Sequence, residues 1–284
     1  MAPTIDVSQK DFERAKALLT VGQINYRLPA VKQIAEIDTS KYIVVPQDYS
    51  GLSHSYAVSP GRLTECSAIT KVVKELELNN YQNTSKDSLG RDFVGNNNWF
   101  EFMKLDAGLG LINPDMQESF YFFKLLRDGA ENKRKVFDVS GKVVDPSFLR
   151  KLHDDFFKVQ SPWRANSIGT EFKKDEENIL AYSHHTLENG VLVPQRKIIL
   201  NKDALMKNRF PGMDLNDWQD GGYTLQGFPA KSVEDGSLYD YSPSDGNNSV
   251  ARLVVGSDWA NLYCYGSPSF RNLNLGVLAA KQLE

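Results

Sequence analysis

Cysteine, histidine and long apolar runs are all scarce in this sequence. Its 284 residues include two cysteines, Cys66 and Cys264, and four histidines. Two thiols far apart along the chain make neither a zinc framework nor a dense disulfide scaffold, so we expect two separate thiols. Four histidines also leave few candidates for a catalytic general base. From these residues we predict no metal site and no cofactor.

Charge and hydropathy indicate no nucleic-acid or membrane partner. The chain has 33 Lys and Arg against 36 Asp and Glu, a formal net charge of -3 at pH 7. This balance provides no basic surface for nucleic acid or for an anionic membrane. No apolar run approaches the roughly 18–20 residues that a membrane-spanning helix needs, and the N-terminus turns polar too early for a secretory signal. Localisation and oligomeric state stay open, and a monomer is compatible with these features.

The order of the predicted elements indicates an α+β fold. Hydrophobic spacing predicts helices at 8–19, 29–37, 63–78, 114–129 and 145–159, with Cys66 on the buried face of the third. Short apolar runs predict strands at 41–46, in two pieces of 133–145, in an Asn-Gly hairpin at 179–200, and at 238–241, 249–255, 261–265 and 275–280. Helices followed by many short strands are typical of an α+β domain with an antiparallel sheet.

A polar, Gly- and Asn-rich stretch at 79–99 interrupts this pattern. We interpret it as a long loop or a domain boundary. The prediction is therefore a helix-rich N-terminal part at 1–95, either packed on the rest or separate from it, and a second domain at 96–284.

Several motifs have ordinary explanations. Gly108-Leu109-Gly110 lacks a third glycine at dinucleotide spacing, so nucleotide binding is not predicted. His184-His185 lies in the predicted hairpin, where neighbouring side chains point to opposite faces and cannot easily hold one metal together. This pair and His153-Asp154-Asp155 are expected on solvated polar faces. A further group, at 214–220, contains Asp214, Asn216, Asp217 and Asp220. It lacks the glycine and the glutamate of an EF-type calcium loop, so we interpret these residues as helix caps and turns.

The sequence also lacks a recognisable frame for nucleophilic catalysis. It contains no G-x-S-x-G motif. Glu188 lies near His184 and His185 in sequence, but no further acid or base converges on them. We therefore predict a non-enzymatic protein.

The C-terminal segment has the amino-acid composition of a binding surface. In residues 241–274, Tyr, Ser, Asn and Gly make up 17 of 34 positions, against 75 of 284 in the whole chain, and the segment has no Lys or Glu. Antibody binding loops use this set because Tyr brings contact area with few rotors to immobilise, while Ser, Asn and Gly adapt their hydrogen bonding. Lys and Glu lose more side-chain entropy and are depleted at interfaces.

Alternation within the predicted strands divides this segment into two faces. Asn261, Tyr263 and Tyr265 fall on one face of a strand, whereas Leu262 and Cys264 fall on the other. The preceding strand alternates in the same way. We expect the apolar set to face the core and four aromatic side chains to be exposed as the energetic anchors of a recognition site, namely Trp259, Tyr263, Tyr265 and Phe270.

A family resemblance covers roughly residues 200–280. Its residues are Val250-Ala251-Arg252, Ser257, Ala260, Leu262, Cys264, Pro268-Ser269, Arg271 and Leu275-Gly276-Val277, preceded by Gln226-Gly227-Phe228-Pro229 and Gly236-Ser237-Leu238-Tyr239. On these residues the chain resembles the variable proteins of diversity-generating retroelements, in the archaeal, Nanoarchaeota-type group. In that family a retroelement rewrites adenines of a template copy, so that Asn codons become codons for Tyr, Asp, Ser, Gly, Val, Phe and others.

The resemblance implies a C-type lectin fold, an antiparallel sheet with two helices and long loops, over 96–284. It implies a variable region at about 249–280 that displays replaceable side chains on a supported backbone. The ligand-binding positions would be Val254, Gly256, Asp258, Trp259, Asn261, Tyr263, Tyr265, Gly266, Ser267, Phe270, Asn272 and Asn274.

The function implied is non-enzymatic, receptor-like binding of varied protein or other macromolecular targets. Whether this takes place at a cell surface, on a virion or inside a cell stays open. Calcium-dependent sugar binding is not implied, because the chain lacks the Glu/Gln-Pro-Asn/Asp loop and the Trp-Asn-Asp strand of that subclass. Two alternatives remain: a formylglycine-generating-type enzyme on the same fold, with Cys264 as the thiol, and a conventional lectin.

Overall fold

Thirteen strands and six helices make up the part of the chain that the computed structural model describes. It describes residues 33–87, 89–175, 178–200, 209–224, 226–229, 236–241, 243 and 248–283. The helix predicted at 8–19 and the start of the one predicted at 29–37 lie outside these residues. Residues 33–37 are not helical.

The strands are β1 Ile43–Val45, β2 Tyr56–Val58, β3 Gln82–Lys86, β4 Asp92–Gly95, β5 Arg164–Asp175, β6 Asn178–Glu188, β7 Val191–Leu200, β8 Arg209–Met213, β9 Leu238–Tyr241, β10 Ser249–Val255, β11 Ala260–Gly266, β12 Leu275–Val277 and β13 Ala280–Gln282. The helices are α1 Gln47–Ser50, α2 Ser67–Glu75, α3 Trp99–Gly108, α4 Met116–Ala130, α5 Pro146–Phe157 and α6 Leu215–Asp220.

An eight-stranded sheet contains most of the longer strands. Its order is β7-β6-β5-β10-β11-β9-β8, and β12 pairs with β5. The β11–β9 and β12–β5 pairs are parallel, whereas the other pairs are antiparallel. A second sheet, β1-β2-β13, joins residues near the N-terminal end of the described chain to residues near its C-terminus. The fold is therefore α+β with a mostly antiparallel sheet, as predicted.

The hairpin between β6 and β7 confirms the Asn-Gly turn. Asn189 and Gly190 both have positive φ angles, 50° and 81°, which is the combination that a two-residue hairpin turn requires. The register runs from Ile179 opposite Leu200 to Glu188 opposite Val191. Here local turn chemistry is enough to set the pairing.

Three predictions about strands need correction. The loop predicted at 79–99 contains the β3–β4 hairpin, which the polar sequence conceals because its pairing depends on distant partners, such as the Val94 N–H bonded to the Leu63 carbonyl at 2.8 Å. The two strands predicted in 133–145 reduce to one bridge between Phe137 and Val143. The strand predicted at 275–280 divides into β12 and β13, because they pair in different sheets.

Helix ends also differ from the prediction. Helix α2 begins after Cys66, which is its partly exposed N-cap and not a residue of its buried face. Helix α4 has Asp115 as its N-cap, with Pro114 outside, and continues through Gly129, where a Cβ would lie 2.5 Å from the Leu149 side chain. This glycine allows α4 to approach α5 closely and does not end the helix.

Two hydrophobic clusters cover the two faces of the large sheet. One contains Phe120, Phe123, Phe156 and Trp218, and the other contains Trp99 and Phe102. Strands β10 and β11 supply the first cluster with Ala251, Leu253, Val255, Ala260, Leu262 and Cys264. The end of the chain that carries the expected binding residues is thus built into the core.

A buried ion cluster connects distant segments beside the first hydrophobic cluster. Asp155 accepts hydrogen bonds from Arg62 and, at 3.1 Å, from Arg164. Arg62 also donates to the Ala165 carbonyl and lies between the rings of Phe93 and Phe156. The prediction of a solvated face is therefore wrong for Asp155, because α5 turns this carboxylate toward arginines from elsewhere in the chain.

His153 is also withdrawn from solvent. Its ring lies 4.9 Å from the ring of Phe157, and burial lowers the pKa of His153 to about 4. This histidine is held neutral by its apolar surroundings at neutral pH.

Candidate functional site

The β10–β11 hairpin carries most of the predicted binding residues. Arg252 lies opposite Tyr263, Val254 opposite Asn261 and Val255 opposite Ala260. The hairpin is held on both sides, because β10 also pairs with β5 and β11 pairs with β9. It is therefore an interior part of the sheet with a rigid backbone.

Side-chain alternation along β11 follows the predicted pattern with one exception. Leu262 and Cys264 are fully buried, Tyr263 is half-buried and Tyr265 is 53% exposed. Asn261 is only 7% exposed, because Val254 and Tyr239 lie beside it on the neighbouring strands. The prediction that Asn261 is an exposed contact is wrong.

Three of the four predicted aromatic anchors are exposed. Trp259 is 37% and Phe270 is 42% exposed, and Tyr265 joins them. We call these three residues and the half-buried Tyr263 the aromatic face. Trp259 immediately precedes β11 and Tyr265 lies near its end, so the strand from Ala260 to Tyr265 puts about 17 Å between the two ends.

Arg252 contacts the aromatic face from its buried side. It is a buried residue whose guanidinium lies 4.8 Å from the centre of the Phe270 ring and donates to the Ser267 carbonyl. Burial lowers the pKa of Arg252 to about 10, and the nearby Tyr263 acts in the opposite direction. Arg252 thereby fixes the loop after β11 through backbone and ring contacts.

Two glycines among the predicted contact positions are buried. Gly256 lies under the Trp259 indole, where a Cβ would be 3.2 Å from the ring. At Gly266 a Cβ would lie 3.0 Å from the Val250 carbonyl oxygen and 3.1 Å from the Arg252 guanidinium. Both positions favour small residues for packing, and the predicted ligand contacts of these two glycines stay a prediction.

Residues 267–274 are tied to segments far away in sequence. The Trp99 N–H donates to the Pro268 carbonyl and the Asn96 N–H to the Asn272 carbonyl, each at 3.0 Å. Arg271 forms a bidentate pair with Glu101 at 2.8 and 3.1 Å. These bonds hold the loop in one conformation on the N-terminus of α3.

Asn272 and Asn274 contribute to this support. The Asn272 side chain accepts a hydrogen bond from the Asn274 N–H, and the Asn274 side chain accepts one from Ser85, both at 2.9 Å. Both asparagines are half-buried. Asp258 and Ser267 are exposed, whereas Val254 is half-buried.

Sequence reasoning missed the supporting residues on α3. The sequence does contain a signal for the start of this helix. Asn98 and Glu101 form a capping box there, and the pattern Asn-x-x-Glu before an apolar run indicates a helix N-terminus. No local pattern, however, indicates that the Glu101 side chain also pairs with Arg271.

The histidine pair corrects another prediction. His184 and His185 point to opposite faces, as expected, but both are buried. His184 lies 3.0 Å from Glu118 on α4, and the ring of His185 lies 4.9 Å from that of Trp99 on α3. Burial lowers the pKa of His185 to about 3; burial opposes protonation of His184 too, but Glu118 raises its pKa above the ordinary value.

The structure confirms that the acidic group at 214–220 forms helix caps and turns. Asp214 is the N-cap of α6 and accepts hydrogen bonds from the Asn216 and Asp217 N–H groups. Asp220 pairs with Arg127. Gly108-Leu109-Gly110 ends helix α3, with a positive φ of 70° at Gly110.

The two cysteines differ in accessibility, and this predicts their reactivity. Cys264 is fully buried, whereas Cys66 is partly exposed. We expect Ellman's reagent to label about one thiol per chain rapidly in the folded protein and the second only after unfolding, since a thiol must reach the reagent to react. The Cys66→Ser variant should lose the rapid phase.

Rapid labelling of Cys66→Ser would contradict this assignment. It would show that Cys264 is reachable in the folded protein, which is the property that a formylglycine-generating-type enzyme would need.

The described structure defines an α+β protein with an aromatic, polar surface displayed on a sheet hairpin. No known protein family matches the chain, and neither does any curated protein or solved structure. Among the helices of the described ranges, none is both long and apolar enough to cross a membrane.

Proposed function

We propose that this protein is a non-enzymatic, receptor-like variable protein of a diversity-generating retroelement, with a C-type lectin fold. Its variable region, at about 249–280, binds protein or other macromolecular targets through the aromatic face. Exchange of side chains on this face changes the target without refolding the chain.

One observation carries the proposal. Along a single hairpin, exposed Trp259 and Tyr265 alternate with fully buried Leu262 and Cys264. Recognition and stability therefore depend on different residues of the same strand. A protein with a diversified site needs this separation, because each replacement at the surface must leave the core unchanged.

The chemistry of the face also supports macromolecular binding. Aromatic side chains are enriched among residues that dominate interface energies, and they bring large contact areas with few rotors. The exposed aromatic residues are joined by exposed Asp258 and Ser267, which add hydrogen-bonding groups that adapt to a partner. The half-buried and buried positions, among them Asn261, Gly266 and Asn272, act as supports.

A display experiment tests the proposal. One library randomises four exposed positions of the face: Trp259, Tyr265, Ser267 and Phe270. A matched library randomises four exposed positions of the β6–β7 hairpin, at the other edge of the sheet: Glu188, Val191, Lys197 and Ile199. After selection against one purified, immobilised protein target, we expect binders with Kd values of about 1 μM or lower from the first library.

Equal recovery of binders from the two libraries would contradict a specialised face, and so would the absence of binders from the first library alone. A second test is genomic. The proposal requires a near-identical, non-coding copy of the DNA for residues 249–280 beside a reverse transcriptase gene, and its absence would remove the retroelement from the proposal.

A further inference from the structure

A cluster of metal-ligand side chains lies away from the aromatic face, where α4 begins against β6. It contains Asp115, Glu118 and His184, whose ligand atoms all lie within 4.8 Å of one another. His184 Nε2 is 3.0 Å from Glu118 Oε2 and 3.8 Å from Asp115 Oδ2. The three side chains are buried or nearly so.

Glu118 has an unused ligand atom in this cluster. The residue is fully buried, and its Oε1 forms no hydrogen bond in the part of the chain that the structure describes. His54 Nε2 lies 3.8 Å from this oxygen, beyond hydrogen-bond distance. A buried carboxylate oxygen without a hydrogen bond is costly. The other oxygen of this carboxylate, Oε2, faces His184.

We propose that this cluster binds a divalent transition-metal ion, zinc in the first place, through Asp115, Glu118 and His184. In a tetrahedral zinc site with bonds of 2.0–2.1 Å, neighbouring ligand atoms are about 3.3 Å apart. The distances of 3.0 and 3.8 Å in the cluster lie on either side of this value. Mixed imidazole and carboxylate ligands suit zinc and its neighbours better than calcium or magnesium.

The surrounding contacts orient these ligands. Asp115 Oδ2 accepts hydrogen bonds from Arg196 at 2.5 Å and from Ser183 at 3.2 Å. His54 Nδ1 lies 3.3 Å from Ser53 Oγ, which leaves Nε2 turned toward Glu118. Hydrogen bonds of this kind set the tautomer and direction of metal ligands. Arg196 offsets one carboxylate charge, and the metal would offset the other.

The backbone at His184 is unusual and serves the same geometry. His184 has a positive φ of 54° in the middle of β6, a conformation that a histidine adopts rarely. Three protein ligands leave one position of a tetrahedral zinc ion for a further group. The ion would fasten the start of helix α4 to strand β6, which carry the three ligands. This departs from the sequence-based prediction of no metal and does not depend on the proposed function.

Zinc titration of the tag-free, full-length protein tests the proposal. We expect one Zn²⁺ per chain and, at zinc concentrations about 100-fold above Kd, a rise in Tm of about 5–10 °C. Co²⁺ in place of zinc should give the visible absorption bands of a tetrahedral site. His184→Asn is the first variant, because asparagine tolerates a positive φ; it should weaken zinc binding at least about tenfold.

His54→Gln is a nearby control, because His54 lies beside Glu118 but outside the ligand group, and it should weaken zinc binding less than His184→Asn does. His153→Gln is the matched control, a histidine outside the cluster, and should bind zinc as the parent protein does. If the parent protein shows no stoichiometric zinc binding, the proposal is wrong. A folded His184→Asn variant that binds zinc as tightly as His153→Gln would overturn the ligand assignment.

Discussion

Replacing Asp155 by asparagine should lower the free energy of unfolding by about 3–5 kcal/mol, the range observed when one partner of a buried ion pair is removed. Asp155 is the carboxylate between Arg62 and Arg164, whose side chains are 1% and 12% exposed. Asparagine keeps the size of the side chain but leaves two guanidinium groups without this negative charge. Urea denaturation measures the loss.

Asp220→Asn is the matched control for this experiment. Asp220 also pairs with an arginine, Arg127, but its side chain is largely exposed, so the loss should be about 1 kcal/mol or less. Equal losses in the two variants would mean that the Asp155 cluster does not hold Arg62 and the segments around it together.

Replacing Leu262 by alanine should cost about 2–5 kcal/mol, because the removed atoms leave a cavity in the first hydrophobic cluster. Tyr265→Ala, three residues away on the same strand, should change the free energy of unfolding by no more than about 0.5 kcal/mol. Leu262 is fully buried, whereas about half of the Tyr265 side chain is in solvent. Thermal and urea unfolding of the two variants provide the comparison.

A combined variant extends this comparison to the whole surface. Simultaneous changes at Asp258, Tyr265, Ser267 and Phe270 should leave Tm within a few degrees of the parent protein, since these side chains are exposed. Asn261 and Asn272 belong in a separate variant, because one is buried and the other bonds the Asn274 backbone. Cooperative loss of the fold in the first variant would contradict the separation of recognition from stability.

If the Leu262/Tyr265 comparison and the combined variant both give the expected results, the exposed residues of the C-terminal hairpin can be replaced without loss of stability. The buried residues of the hairpin then provide the stability. Arg252 would be the residue to keep constant, because it holds both the Ser267 carbonyl and the Phe270 ring. The pair between Arg271 and Glu101 would provide a second fixed point at the edge of the loop.

Local patterns in the sequence were sufficient wherever neighbouring residues decide the structure. The Asn189-Gly190 turn, the Asp145 cap of α5 and the buried parity of Leu262 and Cys264 all follow from residues next to one another. The exposure of Trp259, Tyr265 and Phe270 was predicted in the same way. Turn chemistry, capping and alternation are short-range effects.

Elements that depend on distant partners were not predictable in this way. The β3–β4 hairpin has a polar sequence with little strand signal, and it forms where Val94 bonds to Leu63 and where Gly95 lies against the Leu273 backbone. The support of the loop after β11 by Asn96, Trp99 and Glu101 likewise joins residues about 170 positions apart.

The histidine pair shows which features can be predicted from the sequence and which depend on the tertiary structure. The sequence alone predicted that His184 and His185 point to opposite faces of a strand, because side chains alternate along strands. Only the tertiary structure decided that both faces are covered, one by α4 with Glu118 and the other by α3 with Trp99. Burial depends on which remote segment packs against a face, and no alternation pattern within the strand contains that information.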